Sequence, residues 1–166
     1  MNIRNALQDE LPYIREQRVK AYSEHTEALS AEHWQALKQA ISSDADISQG
    51  VDLIVAEKEG EIVGSVALFP PNTDAYEGYV DELDYPEIRV LAVDPQTRGS
   101  GVASALIAEC IERSKARGFN SIGLHTGSFM ENAIKLYERM GFERLPEHDF
   151  EPANDGVIVK AFRLSI

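Results

Sequence analysis

The chain has 166 residues, of which 43% are hydrophobic and 27% are charged, a composition typical of a folded domain and not of a disordered chain. Its 28 acidic residues outnumber the 16 Lys and Arg residues, and the net charge of −12 disfavours nucleic acid and membranes as partners. The single Cys excludes an internal disulfide, and the four His residues lack metal-ligand spacing. We therefore expect one metal-free domain over residues 1–166.

The sequence also predicts a cytoplasmic protein. The segment that starts at Met1 has no apolar signal core, and no apolar run approaches the ~20 residues of a membrane helix. The oligomeric state stays open, since an edge strand or the helix that carries Trp34 could form the interface of a homodimer.

Hydrophobic periodicity and turn residues predict a mixed α/β sheet with the element order β-α-α-β-β-β-α-β-α-β-β. The predicted strands are Asn2–Asn5, Leu53–Ala56, Ile62–Phe69, Ile88–Val93, Ser121–Thr126, Phe142–Leu145 and Val157–Leu164. The predicted helices run from about Asp9 to Tyr22, from after Ser30 through Ile41, from Val102 to Arg117, and from Ser128 to Met140. Because a helix separates the strands at 88–93 and 121–126, these two are expected to be parallel neighbours.

Local composition adds three expectations. The strand at 88–93 is apolar at nearly every position, so both of its faces should be covered. The connection from Pro70 to Pro86 is longer than the usual limit of ~12–15 residues for a structureless loop, which is typical of a functional or flexible segment. Ser128 precedes Glu131 at capping-box spacing, so the Ser128 side chain should cap the last helix.

The most informative segment joins the strand at 88–93 to the following helix. It reads Asp94-Pro95-Gln96-Thr97-Arg98-Gly99-Ser100-Gly101-Val102-Ala103. Glycines let the backbone approach a ligand, and the first amides of a helix lack internal partners and carry partial positive charge. Such a turn can cradle a pyrophosphate, with Arg98 as its only cation. A glycine-rich turn without a ligand fits this segment equally well.

A dinucleotide site is disfavoured by the surrounding residues. The dinucleotide fingerprint has a third small residue where this chain has Ser104, and it places an acid at the end of the next strand to hold a ribose. Here that strand ends Leu124-His125-Thr126-Gly127, and no Gly-Lys-Ser/Thr nucleotide motif occurs in the chain.

Two motifs together resemble a known family. The segment Arg98-Gly99-Ser100-Gly101-Val102-Ala103 is similar to the R/Q-x-x-G-x-G/A motif of the GNAT superfamily of acetyl-CoA-dependent N-acetyltransferases. About thirty residues later, Ala133-Ile134-Lys135-Leu136-Tyr137-Glu138-Arg139-Met140-Gly141-Phe142 resembles the A-x-x-L-Y-x-x-x-G-F helix of that family. The pair is far more specific than either motif alone, and the predicted element order fits the GNAT fold.

The resemblance implies a site for acetyl-CoA. Backbone groups of Leu91 and Val93, with Ala92 between them, would bind the pantetheine arm where the strands at 88–93 and 121–126 part. The pyrophosphate would be held by the amides of Arg98, Gly99, Ser100, Gly101, Val102 and Ala103, followed by Ser104. The family usually has an Asn at the position of Met130, and Asn132 is expected on a different face of the helix, so that pantetheine contact is not carried over.

The resemblance also implies that Tyr137 is the general acid that protonates the leaving CoA thiolate. A phenol with an unperturbed pKa of ~10 can supply that proton, whereas the residue pattern alone favours a core tyrosine on the apolar stripe. The attacking amine needs a base, and Glu87 at the start of a strand is the first candidate, against an exposed acid with no role. His125, Asp84 and Tyr85 are further candidates.

The charge pattern bears on the acceptor. The segment from Glu59 to Ile88 contains eight acidic residues and no Lys, Arg or His. Such a run can attract a cationic acceptor such as a polyamine, an aminoglycoside or a peptide amine, although solubility is its commoner role. Because CoA is an anion, a basic patch is expected around Arg98.

These observations favour an enzyme that moves the acetyl group of acetyl-CoA directly to a primary amine of a small molecule or peptide. The oxyanion would be held by backbone N–H groups where the strands part. Cys110, on a buried helix stripe, is badly placed for a covalent role. The alternative is a non-catalytic acyl-CoA-binding or sensor domain of the same fold.

Overall fold

The computed structural model of the chain describes residues 1–72 and 83–166. Within these residues, seven strands form one sheet in the order β1-β2-β3-β4-β5-β7-β6. The strands are β1 Asn2–Asn5, β2 Asp52–Lys58, β3 Glu61–Phe69, β4 Glu87–Val93, β5 Ser121–Gly127, β6 Glu143–Arg144 and β7 Val159–Ser165. The α-helices are α1 Leu11–Tyr22, α2 Ala31–Ser42, α3 Val102–Ala116 and α4 Glu131–Arg139. The predicted mixed α/β fold and its element order are confirmed.

The sheet opens between β4 and β5. These two strands are parallel, as predicted, but they pair only through Glu87 with Gly123 and Ile88 with Leu124. β5 remains paired with β7 along its whole length, and the other neighbouring strands are antiparallel. In the described part of the chain, β4 beyond Ile88 therefore has no strand partner on its β5 side.

Helices cover both faces of the sheet. On one face α3 and α4 bury Leu106, Ile107 and Tyr137 against β3, β4, β5 and β7. On the other face α1 places Ile14 against a smaller cluster that includes Val55 and Phe69. α2 packs against α1. No helix of residues 1–72 and 83–166 is long and apolar enough to cross a membrane.

A bulge interrupts β4 at the place where the sheet opens. Two residues of β4, Val90 and Leu91, face the single residue Val66 of β3. Val90 has a φ of 50°, in the left-handed region that a β-branched residue rarely adopts. The extra residue changes the alternation of side chains, so Val90 packs with the cluster under α1 and Leu91 with the cluster under α3.

The expectation that both faces of the strand at 88–93 are covered is wrong at its centre. Arg89, Val90 and Leu91 are only partly buried, whereas the residues at both ends of β4 are buried. The reason is that cavities flank the bulge on both sides of the strand. Most of the predicted long connection from Pro70 to Pro86 lies outside the described residues.

The predicted cap of the last helix is also wrong. Met130 occupies the N-cap position of α4, and no side chain caps it. The Ser128 hydroxyl instead accepts a hydrogen bond from the Ile158 amide (3.2 Å), and the Ser128 amide donates to the Ile158 carbonyl (2.8 Å). A contact to a segment thirty residues away in sequence therefore replaces the local capping box.

Candidate active site

A cleft of about 560 Å³ lies where β4 leaves β5, and we call it the β4–β5 cleft. Its walls come from the end of α1, from β4, from the turn before α3 and from the start of α4. Of the residues predicted to bind acetyl-CoA, all except Ser100 line this cleft, namely Leu91, Ala92, Val93, Arg98, Gly99, Gly101, Val102, Ala103 and Ser104.

The turn before α3 presents free amides to the cleft. Gly99 and Gly101 both have a φ of 84°, a left-handed conformation that suits glycine, and Gly101 is the N-cap of α3. Within the described residues, no acceptor takes the amides from Gly99 to Ser104, and the first amide with a backbone partner is that of Ala105. These donors and the positive end of the α3 dipole form a site that favours an anion.

Gly64 of β3 allows α3 to begin close to the sheet. A Cβ atom on Gly64 would lie 2.8 Å from Val102 Cγ1 and 3.0 Å from the Ala92 carbonyl oxygen. A larger residue would push the start of α3 away from β4. The glycine therefore keeps the free amides of the turn next to the unpaired backbone of β4.

Arg98 is 42% exposed and forms an ion pair with Glu24. Glu24 lies in the 3-10 turn Ser23–Ala28 that follows α1, on the opposite wall of the cleft. Glu131 and Arg139 also line the cleft, so its charged side chains are mixed. The expected basic patch around Arg98 is therefore not formed, because Arg98 is paired with Glu24 and a second acid, Glu131, also lines the cleft.

Tyr137 is buried in the core beside the cleft. It is 5% exposed, and its ring packs against Phe142 (5.9 Å between centroids) and Phe162 (6.3 Å). Burial raises the pKa of the Tyr137 phenol, and the neighbouring phenol of Tyr22 raises it further. Tyr22 lines the cleft, as does Leu136, the residue before Tyr137. The Tyr137 phenol therefore stays protonated at neutral pH.

Glu87 forms a buried pair with His125. Glu87 Oε2 lies 2.9 Å from His125 Nδ1, and the two side chains are 6% and 2% exposed. His125 Nε2 lies 3.1 Å from the carbonyl oxygen of His148. Both ring nitrogens of His125 therefore lie within hydrogen-bond distance of an oxygen atom, one from Glu87 and one from His148. Glu87 is thus a buried acid in contact with His125 and not an exposed one.

A second cavity, of about 360 Å³, lies on the other side of β4, and we call it the α1–α2 cavity. Its wall from the sheet contains Phe69, Arg89 and Val90. The helical wall contains Arg18 of α1, residues of α2, and Asp46 of the 3-10 turn Asp44–Ile47. Consecutive residues of the bulge separate the two spaces, since Val90 lines this cavity and Leu91 lines the β4–β5 cleft.

Comparison with known proteins agrees with this geometry. The model of the Acetyltransferase (GNAT) family matches residues 7–142. The chain belongs to the GNAT family. It is 34% identical over 91 residues to an uncharacterised N-acetyltransferase of Escherichia coli, YjgM, and the match covers 55% of this chain and 50% of that protein. Matches to other curated relatives cover smaller shares of their lengths, so the chain spans about half or less of the relatives it matches.

Solved structures share the GNAT fold. An acetyltransferase of the GNAT family from Staphylococcus aureus superposes with a TM-score of 0.72 at 15% identity, over 99% of this chain and 98% of that one. An aminoglycoside 6'-N-acetyltransferase complexed with coenzyme A superposes with a TM-score of 0.67 at 14% identity, over 99% and 97% of the two chains. At these identities the similarity establishes the fold.

Two residues at the start of α4 bear on the pantetheine contact that was not carried over from the GNAT pattern. Met130 stands where the family usually has Asn, and it lines the cleft with Sδ 3.4 Å from Thr126 Oγ1. Asn132 also lines the cleft, contrary to the expectation that it lies on a different face. The helix begins with Met130 as its N-cap, and both residues therefore belong to the first turn, next to the opening of the sheet.

The remaining candidate residues lie outside both cavities. Asp84 is exposed, and Tyr85 is buried against β5, where a Cβ on Gly123 would be 2.5 Å from its ring. Burial raises the pKa of Cys110 to about 12, so its thiol is not a nucleophile at neutral pH. Across residues 1–72 and 83–166, no group of three or more His, Cys, Asp or Glu side chains could hold a metal.

Sequence reasoning missed Arg18, which the structure buries under α1. Arg18 follows the core residue Ile14 by one helical turn, so it occupies a position of the apolar stripe. A charged residue at such a position is the pattern that could have identified it, because a buried cation requires partners and often marks a site.

Proposed function

We propose that this protein is a cytoplasmic N-acetyltransferase that transfers the acetyl group of acetyl-CoA directly to a primary amine of a small molecule or peptide. The observation that carries the proposal is the set of unpartnered amides from Gly99 to Ser104, placed beside the unpaired backbone of β4. The GNAT membership of the chain and the coenzyme A bound to a neighbour of the same fold support it.

The β4–β5 cleft provides the binding site for acetyl-CoA in this proposal. The amides of Gly99 to Ser104 donate to the pyrophosphate, and the pantetheine amides pair with the β4 backbone at Leu91 and Val93. Arg98 exchanges its partner Glu24 for a phosphate when the cofactor binds. The pantetheine arm contains amide groups like those of a peptide. It can therefore pair with β4 beyond Ile88, where the strand has a free edge on its β5 side.

Chemistry takes place at the bulge. The amine nitrogen attacks the thioester carbonyl, forming the C–N bond, and the C–S bond breaks. Backbone N–H groups near Leu91 stabilise the oxyanion. Glu87 accepts the proton lost by the amine through water, and Tyr137 returns a proton to the CoA sulfur. The raised pKa of Tyr137 keeps that proton available.

The experiment is thiol release from acetyl-CoA with acceptors that range from spermidine to free amino acids and short peptides. Tyr137→Phe should lose turnover by a factor of about 100 while CoA still binds, as expected for a general acid. A non-catalytic acyl-CoA sensor would bind CoA in both forms and release no thiol with any acceptor. Thiol release that is unchanged in Tyr137→Phe would remove Tyr137 from the mechanism.

A further inference from the structure

Arg18 is a buried guanidinium with unused donors in the wall of the α1–α2 cavity. Its side chain is 1% exposed, and Nη1 donates to the Ile41 carbonyl (2.7 Å) and to Asp46 Oδ2 (3.1 Å). Nε and Nη2 are buried and have no hydrogen-bond partner within the described chain. A buried donor without an acceptor is unfavourable, so the arrangement favours an acceptor that comes from a ligand.

In the described wall of the cavity, cationic side chains outnumber acidic ones. Asp46 is the acidic residue of the described wall, and it is shared, because Arg15 Nη2 binds Oδ1 at 2.7 Å while Arg18 binds Oδ2. Arg89 adds a second cation to the wall, with its guanidinium 4.9 Å from the centre of the Phe69 ring. This positive site is unusual in a chain whose net charge is −12.

The cavity lies next to the reaction centre. Val90 lines the cavity and its neighbour Leu91 lines the cofactor side. Glu87 stands opposite Phe69 in the β3–β4 register, and Phe69 belongs to the cavity wall. Tyr22 lines the β4–β5 cleft, and burial raises the pKa of its phenol; Arg18 and Arg89 lie close enough to oppose part of that rise. A ligand bound in the α1–α2 cavity can therefore place a reacting group at the bulge in β4.

We propose that the α1–α2 cavity binds the acceptor and that this acceptor is a small amine with a carboxylate, an amino acid in the broad sense. The proposal rests on the acetyltransferase function. A carboxylate offers two acceptor oxygens in one plane, which match the unused Nε and Nη2 donors of Arg18, and its negative charge complements that guanidinium. The amine end then points to Val90 and the thioester. Polyamines and aminoglycosides are disfavoured at this site by the same charges.

The first test compares matched acceptors in the thiol-release assay. Each free amino acid is paired with its α-carboxamide, β-alanine with propylamine, and 2-aminoethyl phosphate represents the phosphate class. We expect at least tenfold higher kcat/KM for the carboxylate member of the best pair. Equal use of the amide, or a preference for spermidine or for the aminophosphate, would overturn the assignment.

The second test uses Arg18→Met with Arg15→Met as the matched control. Each change removes one of the two guanidinium groups that bind Asp46, but of these two arginines only Arg18 lines the cavity. Arg18→Met should raise the KM of the carboxylate acceptor at least tenfold and abolish the preference over the amide, with the KM of acetyl-CoA unchanged. Arg15→Met should keep the preference. If Arg18→Met does not fold, Arg89→Met, which changes a half-buried residue, should weaken the same preference.

A binding measurement separates this proposal from the function on which it rests. Calorimetry with CoA present should detect binding of the preferred amino acid by the wild type and its loss in Arg18→Met. If no acceptor releases thiol but this binding is found, the acetyltransferase function fails and the carboxylate site stands. If thiol is released without any preference for carboxylates, the site alone is wrong. If neither signal is found, both proposals are wrong.

Discussion

The β4–β5 cleft and the α1–α2 cavity lie on the two sides of one strand, but different kinds of chemical groups line them. The cleft offers mainly backbone groups of one continuous stretch, Leu91 to Ser104, where glycines and a helix start leave amides free. The cavity offers side chains that come from β3, β4, α1, α2 and a 3-10 turn. A backbone site depends on chain conformation, whereas a side-chain site can change its ligand through one substitution. We therefore expect the cofactor side to be general and the acceptor side to be specific.

The strongest test of this division concerns the proton acceptor. Glu87→Gln should lower kcat by a factor of about 100 or more, because a base is removed from the reaction. The KM of acetyl-CoA should not change, since Glu87 lies outside the β4–β5 cleft. Initial rates of thiol release at varied acetyl-CoA give both constants.

Asp84→Asn is the control for Glu87→Gln, because it removes an exposed carboxylate three residues earlier in the chain. It should leave both constants near those of the wild type. A rise in the KM of acetyl-CoA for Glu87→Gln, with kcat preserved, would place Glu87 in the cofactor site and contradict the division.

The second test addresses the conformation of the backbone site. Gly101→Val should raise the KM of acetyl-CoA about tenfold, because a side chain at φ 84° is strained and the free amides of the turn would shift. Gly118 provides a matched control at the other end of α3, with φ 86° and equally open space for a Cβ atom.

Both glycine variants should lose about 1–3 kcal/mol of unfolding free energy, measured by urea titration. Gly118→Val should keep the KM of acetyl-CoA, because Gly118 lies outside the cleft wall. Equal KM values for the two variants would show that the turn does not position the cofactor.

The third test examines how the acceptor side is held together. Asp155 accepts hydrogen bonds at the start of α2 from Ser30 Oγ (3.2 Å) and from His33 Nδ1 (2.8 Å). The hydrogen bond from His33, followed by those from the backbone amides of Val157 and Ser30, lowers the pKa of Asp155 to about 2. The stabilisation is therefore complete above the ordinary pKa of an aspartate and is lost as the pH falls through about 2.

Asp155→Asn should accordingly lower the Tm at pH 7 by a few degrees, and its difference from the wild type should shrink steadily as the pH falls from about 4 through about 2. Glu147→Gln, at an exposed acid of the same connection between β6 and β7, should leave the Tm unchanged. A difference that does not shrink over this pH range would mean that the Asp155 charge does not hold α2.

The smallest effect is expected at Arg98. Glu24→Gln removes its ion pair, which should free the guanidinium for phosphate and lower the KM of acetyl-CoA about two- to threefold. The gain should vanish in ~1 M salt, where exposed charges are screened. Glu27→Gln, in the same exposed turn, should have no such effect. A higher KM for Glu24→Gln would indicate that Glu24 helps cofactor binding.

The sequence predicted the parts of this molecule that depend on neighbouring residues. Alternating hydrophobic residues located the strands, the helical period located the helices, and the glycine turn before α3 pointed to residues that line the β4–β5 cleft. Contacts between distant segments could not be predicted in this way. Ser128 bonds to Ile158 instead of capping α4, and Asp46 meets Arg18 across 28 positions of the chain. The α1–α2 cavity is built from such contacts, and for that reason the sequence did not predict the proposed acceptor site.

The bulge at Val90 limits how β4 can change length. The strand holds one residue more than β3 between Arg89 and Ala92, and this extra residue decides which side chains face the α1–α2 cavity and which face the β4–β5 cleft. Loss of one residue here would restore simple alternation and exchange the two faces for the rest of the strand. Deletions and insertions at this position should therefore abolish activity even where the fold survives, while substitutions of similar size are tolerated.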